Sequence, residues 1–344
     1  MTGPSNNCYR YWLVVKPDTS KPTGGIKQLH RLAEALNELN REATLIQDEK
    51  DFHPGWFQSK VSTISEADWK NKADLTPERD IVIMPETYNG EFLSFAPKLK
   101  KIIFNQNTAY SFGQPDDKKM HRPAGLIELY RHPSIQHILC VSEHDKELLR
   151  EGFKAGNNRV STIKNAIETE QFKPGKIKKR QLCYFTRKNA RDSMIVIELL
   201  RQCKWFESWS VVPIQKMAQT EVAAIMQSSL LLLSFGHPEG FGLPVAEAIA
   251  CGCCVIGYSG LGGRELFRLG DKFGTTQEIA VGDYLQFVRA TEKINNIVNY
   301  NAKKLSEDLT AASIDVRNKY NKQTMLNSLE KALLRIEKNG LLAN

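Results

Sequence analysis

At 344 residues the chain exceeds the usual size of a single domain, so two domains are the starting expectation. Its net charge of +8 admits phosphate-bearing ligands, an anionic membrane surface or nucleic acid, but no zinc-finger, helix-turn-helix or RNA-binding signature occurs, which leaves nucleic acid a weak alternative. Seven cysteines without framework spacing indicate reduced thiols in a cytoplasmic setting. With no run of about 18 apolar residues and no signal-peptide h-region in MTGPSNNCYRYW, the protein is expected to be soluble, or peripheral at the inner face of a membrane at most.

In chain order, the first half offers the strand-like runs YRYWLVVKP (9–17), ATLIQ (43–47), DIVIM (80–84), KIIFNQ (101–106), HILCVS (137–142) and VSTIKN (160–165). Between the first two lies IKQLHRLAEALNELN, whose apolar residues Ile26, Leu29, Leu32, Ala33, Leu36 and Leu39 mark one buried helical face. The turn before it carries Gly24 and Gly25. Lys98, Lys100 and Lys101 read as charge flanking the fourth run, and a second basic cluster falls at Lys118, Lys119 and Arg122.

The second half gives QLCYFT (181–186), SVVPI (210–214), LLLLSF (230–235) and CVIGYS (254–259), again alternating with helices. Such alternation predicts an α/β protein with parallel sheets, here two Rossmann-like domains joined near the polar stretch FKPGKIKKR (172–180). The expected boundaries are 1–173, 174–321, and an amphipathic tail helix over 322–344.

Residues 234–266 carry the most chemistry. The run SLLLLSF (229–235) predicts a buried strand; Pro238, Gly240 and Gly242 break regular structure; Pro244 suits a first helical turn; and the helix ends near Gly252. The helix head offers amides for a phosphate, and glycine lets that backbone approach closely. Glu239 in the loop and Glu247 in the helix, eight positions apart, could each accept sugar hydroxyls. A phosphate seat between two such carboxylates describes a nucleotide-sugar site. Cys251, Cys253 and Cys254 are too tightly spaced for a CxxC metal pair and read as small buried residues.

The string HPEGFGLPVAEAIACGCCVIGYSGLGGRE resembles the Glu-x7-Glu signature of the retaining, metal-independent GT-B glycosyltransferases, the group named glycosyl transferases group 1. The resemblance implies two Rossmann-like domains facing across a cleft, with a C-terminal helix crossing back to the first. It implies that Glu239 contacts hydroxyls of the donor sugar and Glu247 the ribose, while the backbone of Gly240, Phe241, Gly242 and Leu243 touches sugar and diphosphate. Gly24 and Gly25 match the family's glycine turn against the donor phosphate. The turn SGLGGREL (259–266) is expected to shape the pocket.

In YFTRKNARDS, Arg187 and Lys188 follow a strand directly, so they should emerge at its carboxyl end. Preorganised cations there would stabilise the charge that builds on a departing diphosphate. Family members carry an arginine here and a lysine several residues later, so the second cation could be Lys188 or Arg191. Where many members place a histidine, near IIFNQNTAY, this chain has Asn105, Gln106 and Asn107; its nearest histidines are His121 and His132, and Asn107 is the candidate for sugar contact.

The expected activity is transfer of a sugar from a nucleotide-diphosphate sugar, UDP or GDP type, to an acceptor hydroxyl on a glycan or lipid-linked glycan. No metal and no further cofactor are implied. Residues 50–80, with Trp56 and Trp69, are where acceptor choice is expected. Three rivals are weaker: a catalytically inactive nucleotide-sugar-binding protein, a glycosidase using Glu239 and Glu247 as its carboxyl pair, and a basic nucleic-acid binder.

Overall fold

The computed structural model describes residues 9–113 and 122–338; Lys118, Lys119 and His121 lie outside the described residues. The chain divides into two compact units, residues 1–164 with 325–344, and residues 165–324. The division follows Lys164 because the next segment is tied to the second unit. Ile167 N–H donates to Tyr320 O at 3.0 Å, Gln219 Nε2 to Glu168 Oε2 at 2.9 Å, and Gln227 Nε2 to Gln171 O at 2.9 Å.

The first unit holds seven parallel strands, β1 (Arg10–Val14), β2 (Glu42–Gln47), β3 (Thr63–Ser65), β4 (Asp80–Pro85), β5 (Lys100–Asn105), β6 (Ile135–Cys140) and β7 (Val160–Thr162). Their order is β3-β2-β1-β4-β5-β6-β7, so the winding reverses between β1 and β4. Every residue of β1 and β4 is buried, as expected of strands covered on both faces. Trp69 packs inside this unit, stacked on Phe95 at 5.2 Å and edge-on to Trp12. It therefore belongs to the core and presents no surface to an acceptor.

A buried ion pair fixes β1 against β4 at their amino ends, in the register Arg10↔Asp80. Asp80 accepts from Arg10 Nε at 2.7 Å and Nη2 at 2.8 Å, from Trp12 Nε1 at 2.7 Å and from the Thr76 amide at 2.7 Å. Removing one member of such a pair strands a buried charge. Asp80→Ala is expected to destabilise the first unit by about 3–5 kcal/mol, read as a lowered midpoint in urea unfolding.

Lys101 corrects the expectation of flanking charge. It is 1% exposed, and its ammonium donates to Ala96 O and Leu99 O at 2.9 Å each. Burial pulls its pKa down to about 8.

The second unit holds five parallel strands, β8 (Lys179–Phe185), β9 (Ser210–Ile214), β10 (Ser229–Ser234), β11 (Cys254–Gly257) and β12 (Thr276–Glu278), in the order β12-β11-β10-β8-β9. Leu231, Leu232 and Leu233 of β10 are at most 1% exposed, and each buried leucine contributes about 1.5–3 kcal/mol. Cys251, Cys253 and Cys254 are buried free thiols, as their spacing suggested. The winding reverses between β8 and β10, so ligand chemistry in this unit is expected where the loops leaving those two strands meet.

The last helix, Lys322–Lys338, returns to the first unit from residue 325 onward. There Lys164 N–H donates to Ser328 Oγ at 3.0 Å, and Arg41 grips Glu337 through Nε at 2.7 Å and Nη2 at 2.8 Å.

Candidate functional site

The two loops at the β8/β10 reversal are bonded to each other. Chain leaving β8 runs through Arg187, Lys188 and Asn189 into the helix Ala190–Arg201. Chain leaving β10 runs from Phe235 to Gly242 and into the helix Leu243–Ala250. The Lys188 ammonium lies 2.9 Å from Glu239 Oε1 and donates to Pro238 O at 2.7 Å. Both side chains are largely covered, 18% and 24% exposed, so this contact is less screened than an ordinary surface pair. Arg187 and Arg191 are exposed on the same loop and first helical turn. Of the two alternatives for the second cation, Lys188 is the one that meets Glu239.

Glu239 is also held through its main chain. Its amide donates to Gly260 O at 2.9 Å, and its carbonyl accepts from Gly262 N at 3.1 Å. These bonds leave no room for a side chain on the neighbouring turn. A Cβ on Gly260, whose φ is +65°, would lie 2.5 Å from Glu239 Cβ; one on Gly262 would collide with Gly240 O. The turn after β11 thus needs glycine to approach the loop after β10.

Among the described residues, no backbone carbonyl takes up the amides of Gly240, Phe241 and Gly242. They stand beside the head of the helix Leu243–Ala250, the kind of place where a phosphate or sugar oxygen is accepted. The Phe241 ring is buried, 5.0 Å edge-on to Tyr320, so this residue can offer a ligand only its backbone. Glu247 is the fifth residue of that helix and is 9% exposed. His237 has its pKa lowered, by burial first and then by the Lys188 charge, against the opposing pull of Glu239.

Gly24, Gly25 and Asn107 belong to the first unit. Gly24 and Gly25 open the helix Gly24–Glu38 beyond β1, and Gln106 Nε2 donates to Gly25 O at 3.1 Å. Asn107 is 6% exposed, and its side-chain oxygen accepts from the Ala109 amide at 3.1 Å, capping the short helix Thr108–Phe112. That hydrogen bond gives Asn107 a structural task which its position in the sequence did not reveal.

Sequence reasoning missed Asn189 altogether. It holds a left-handed conformation (φ 48°, ψ 47°), and its amide donates to Phe235 O at 2.7 Å and His237 O at 3.1 Å. An asparagine at the head of a predicted helix was the only available signal, and it pointed to an ordinary cap.

Residues 210–310 match the family model of Glycosyl transferases group 1, a span that includes Glu239 and Glu247. The chain is 28% identical over 235 residues to an alpha-1,6-glucosyltransferase of Actinobacillus pleuropneumoniae serotype 7 (strain AP76), covering 64% of this chain. The match spans 65% of that relative's length. A glycosyltransferase from Rickettsia africae ESF-5 superposes with a TM-score of 0.70 at 14% identity, over 97% of this chain and 100% of that one. HepE of Anabaena, crystallised with UDP-glucose, does so with a TM-score of 0.64 at 13% identity, over 94% and 99%. The family match lies within the second unit, and the chain has the GT-B fold of two Rossmann-like domains. Among the described residues, no helix is long and apolar enough to cross a membrane.

Proposed function

We propose that the chain is a retaining, metal-independent glycosyltransferase that moves a sugar from a nucleotide-diphosphate sugar to an acceptor hydroxyl on a glycan or lipid-linked glycan. One observation carries the reading: the Lys188–Glu239 contact of 2.9 Å at the β8/β10 reversal. It joins a cation suited to a diphosphate with a carboxylate suited to sugar hydroxyls, within one loop pair.

In this mechanism Arg187 and Lys188 take up the charge that builds on the departing diphosphate, so no metal is needed for that step. Arg191 adds positive charge at the same loop. Glu239 orients the sugar and Glu247 the ribose, while the amides of Gly240 to Leu243 meet sugar and phosphate oxygens. The acceptor's proton passes to the leaving phosphate, on the face that receives the acceptor. Retention of the anomeric configuration rests on the family resemblance.

UDP- or GDP-linked donors are the first choice, with UDP-glucose at the head because HepE was crystallised with it and the A. pleuropneumoniae relative is named a glucosyltransferase. The net charge of +8 suits an acceptor presented at an anionic membrane surface on the cytoplasmic side.

The test is a panel of UDP-, GDP- and ADP-sugars, scored by thermal shift and by mass spectrometry of products, with and without EDTA. Donor-dependent stabilisation and transfer that survive EDTA, with an α-linked product from an α-linked donor by NMR, are the expected results. Stabilisation without transfer to any acceptor would identify an inactive binder, and an inverted product would remove the retaining assignment.

A further inference from the structure

The loop pair contains a hydrogen-bonding device with no role in the account above. Residues 188 and 189 together occupy three carbonyls of the neighbouring loop. Asn189 Nδ2 reaches Phe235 O at 2.7 Å and His237 O at 3.1 Å, while Lys188 Nζ reaches Pro238 O at 2.7 Å. All three carbonyls lie within four residues of Glu239.

Asn189 gives up its usual task to do this. It stands at the N-cap of the helix Ala190–Arg201, where an asparagine oxygen ordinarily accepts an amide of the first turn; here the side chain makes no capping bond. It also holds the left-handed conformation, which asparagine tolerates better than most residues. A residue chosen for helix stability alone would keep the cap.

We propose that Asn189 is a positioning residue, which sets the spacing between the cations of its own loop and Glu239 on the other. The proposal rests on the function proposed above. The diphosphate end of a donor would meet Arg187 and Lys188, and the sugar end would meet Glu239. Free nucleoside diphosphate makes no use of Glu239, whereas the intact donor needs the cations and Glu239 at the right separation. Misplacement by about 1 Å can cost about 100-fold in turnover.

Two variants of the full chain test this. Asn189→Gly keeps the left-handed conformation at no steric cost and deletes the amide. Asn189→Asp keeps the size but turns a charged oxygen toward carbonyl oxygens. Affinity for UDP and GDP, affinity for the corresponding sugar nucleotides, kcat and KM are measured beside the melting temperature.

In both variants nucleoside-diphosphate affinity is expected to stay within about threefold, while kcat falls about tenfold or more, further in Asn189→Asp. A purely structural role would lower both affinities together with the melting temperature, and that pattern overturns the proposal. Unchanged kcat in Asn189→Gly also overturns it. If the wild-type chain neither binds nor turns over any sugar nucleotide, the proposed function itself fails and the positioning role falls with it.

Discussion

Glu239→Gln is expected to lower kcat by about 10²–10³-fold while leaving affinity for free nucleoside diphosphate nearly intact. The substitution keeps the side chain's shape and removes the charge that faces Lys188 and that, in the proposed mechanism, the donor hydroxyls use. Lys188→Ala should cost a similar factor, because in the proposed mechanism the departing diphosphate loses one of its cations. The two losses are not expected to add. Each partner's effect includes the other left unpaired, so the double variant should fall short of the product of the singles by a coupling of about 0.5–3 kcal/mol. A double-mutant cycle on kcat/KM measures it. Turnover within twofold of wild type in Glu239→Gln would remove this carboxylate from the mechanism.

The second large effect concerns pH and belongs to the first unit. Glu86 is 3% exposed and accepts the Gln106 amide at 2.9 Å, while Asp145 accepts the Thr108 amide at 3.3 Å. Burial pushes Glu86 from an ordinary 4.5 up to about 8, with the Asp145 charge adding to it and backbone amides, Gln106 first, opposing it. Burial likewise pushes Asp145 from 3.8 up to about 7. A carboxyl whose folded pKa lies above its unfolded value binds its proton more tightly when folded. Its contribution to stability is complete below the unfolded value and is lost as pH rises toward the folded one. The first unit should therefore weaken between about pH 4 and pH 8. Glu86→Gln, which imitates the protonated acid, should flatten that slope and leave the protein more stable than wild type at pH 8.5. The gain expected there is a few kcal/mol. Chemical denaturation at pH 5.5 and 8.5 checks the sign. A wild-type protein that gains stability across that range would contradict it.

Much of this architecture could be read in advance, for a physical reason. Strands buried on both faces, such as LLLLSF and DIVIM, announce themselves as unbroken apolar runs, and the helices between them repeat with the helical period. Two strands left no such trace. Thr63–Ser65 and Thr276–Glu278 have three residues each and lie at sheet edges, too short for any periodicity.

In the candidate site, spacing was informative wherever the backbone itself was constrained. Pro238, Gly240 and Gly242 mark the loop, and Arg187 with Lys188 directly follow a strand. What stayed hidden were partnerships between distant residues. The Asn189 bonds reach across 46 and 48 positions, and Gly260 is required because of Glu239, a residue in a different loop. Lys101 is the same lesson in the core: a lysine at the start of a strand reads as solvated, and only the folded chain supplies the two carbonyls that let its ammonium stay inside.

The return of the last helix has a consequence for how the molecule is made. Since residues from 325 onward join residues 1–164, the first unit is split in sequence and the second lies between its two segments in the chain. During synthesis, the bonds of Arg41 and Lys164 to the helix that carries Ser328 and Glu337 can form only after residues 165–324 have been translated. Loss of the helix Lys322–Lys338 would thus take partners from Arg41 and Lys164, residues synthesised well before it.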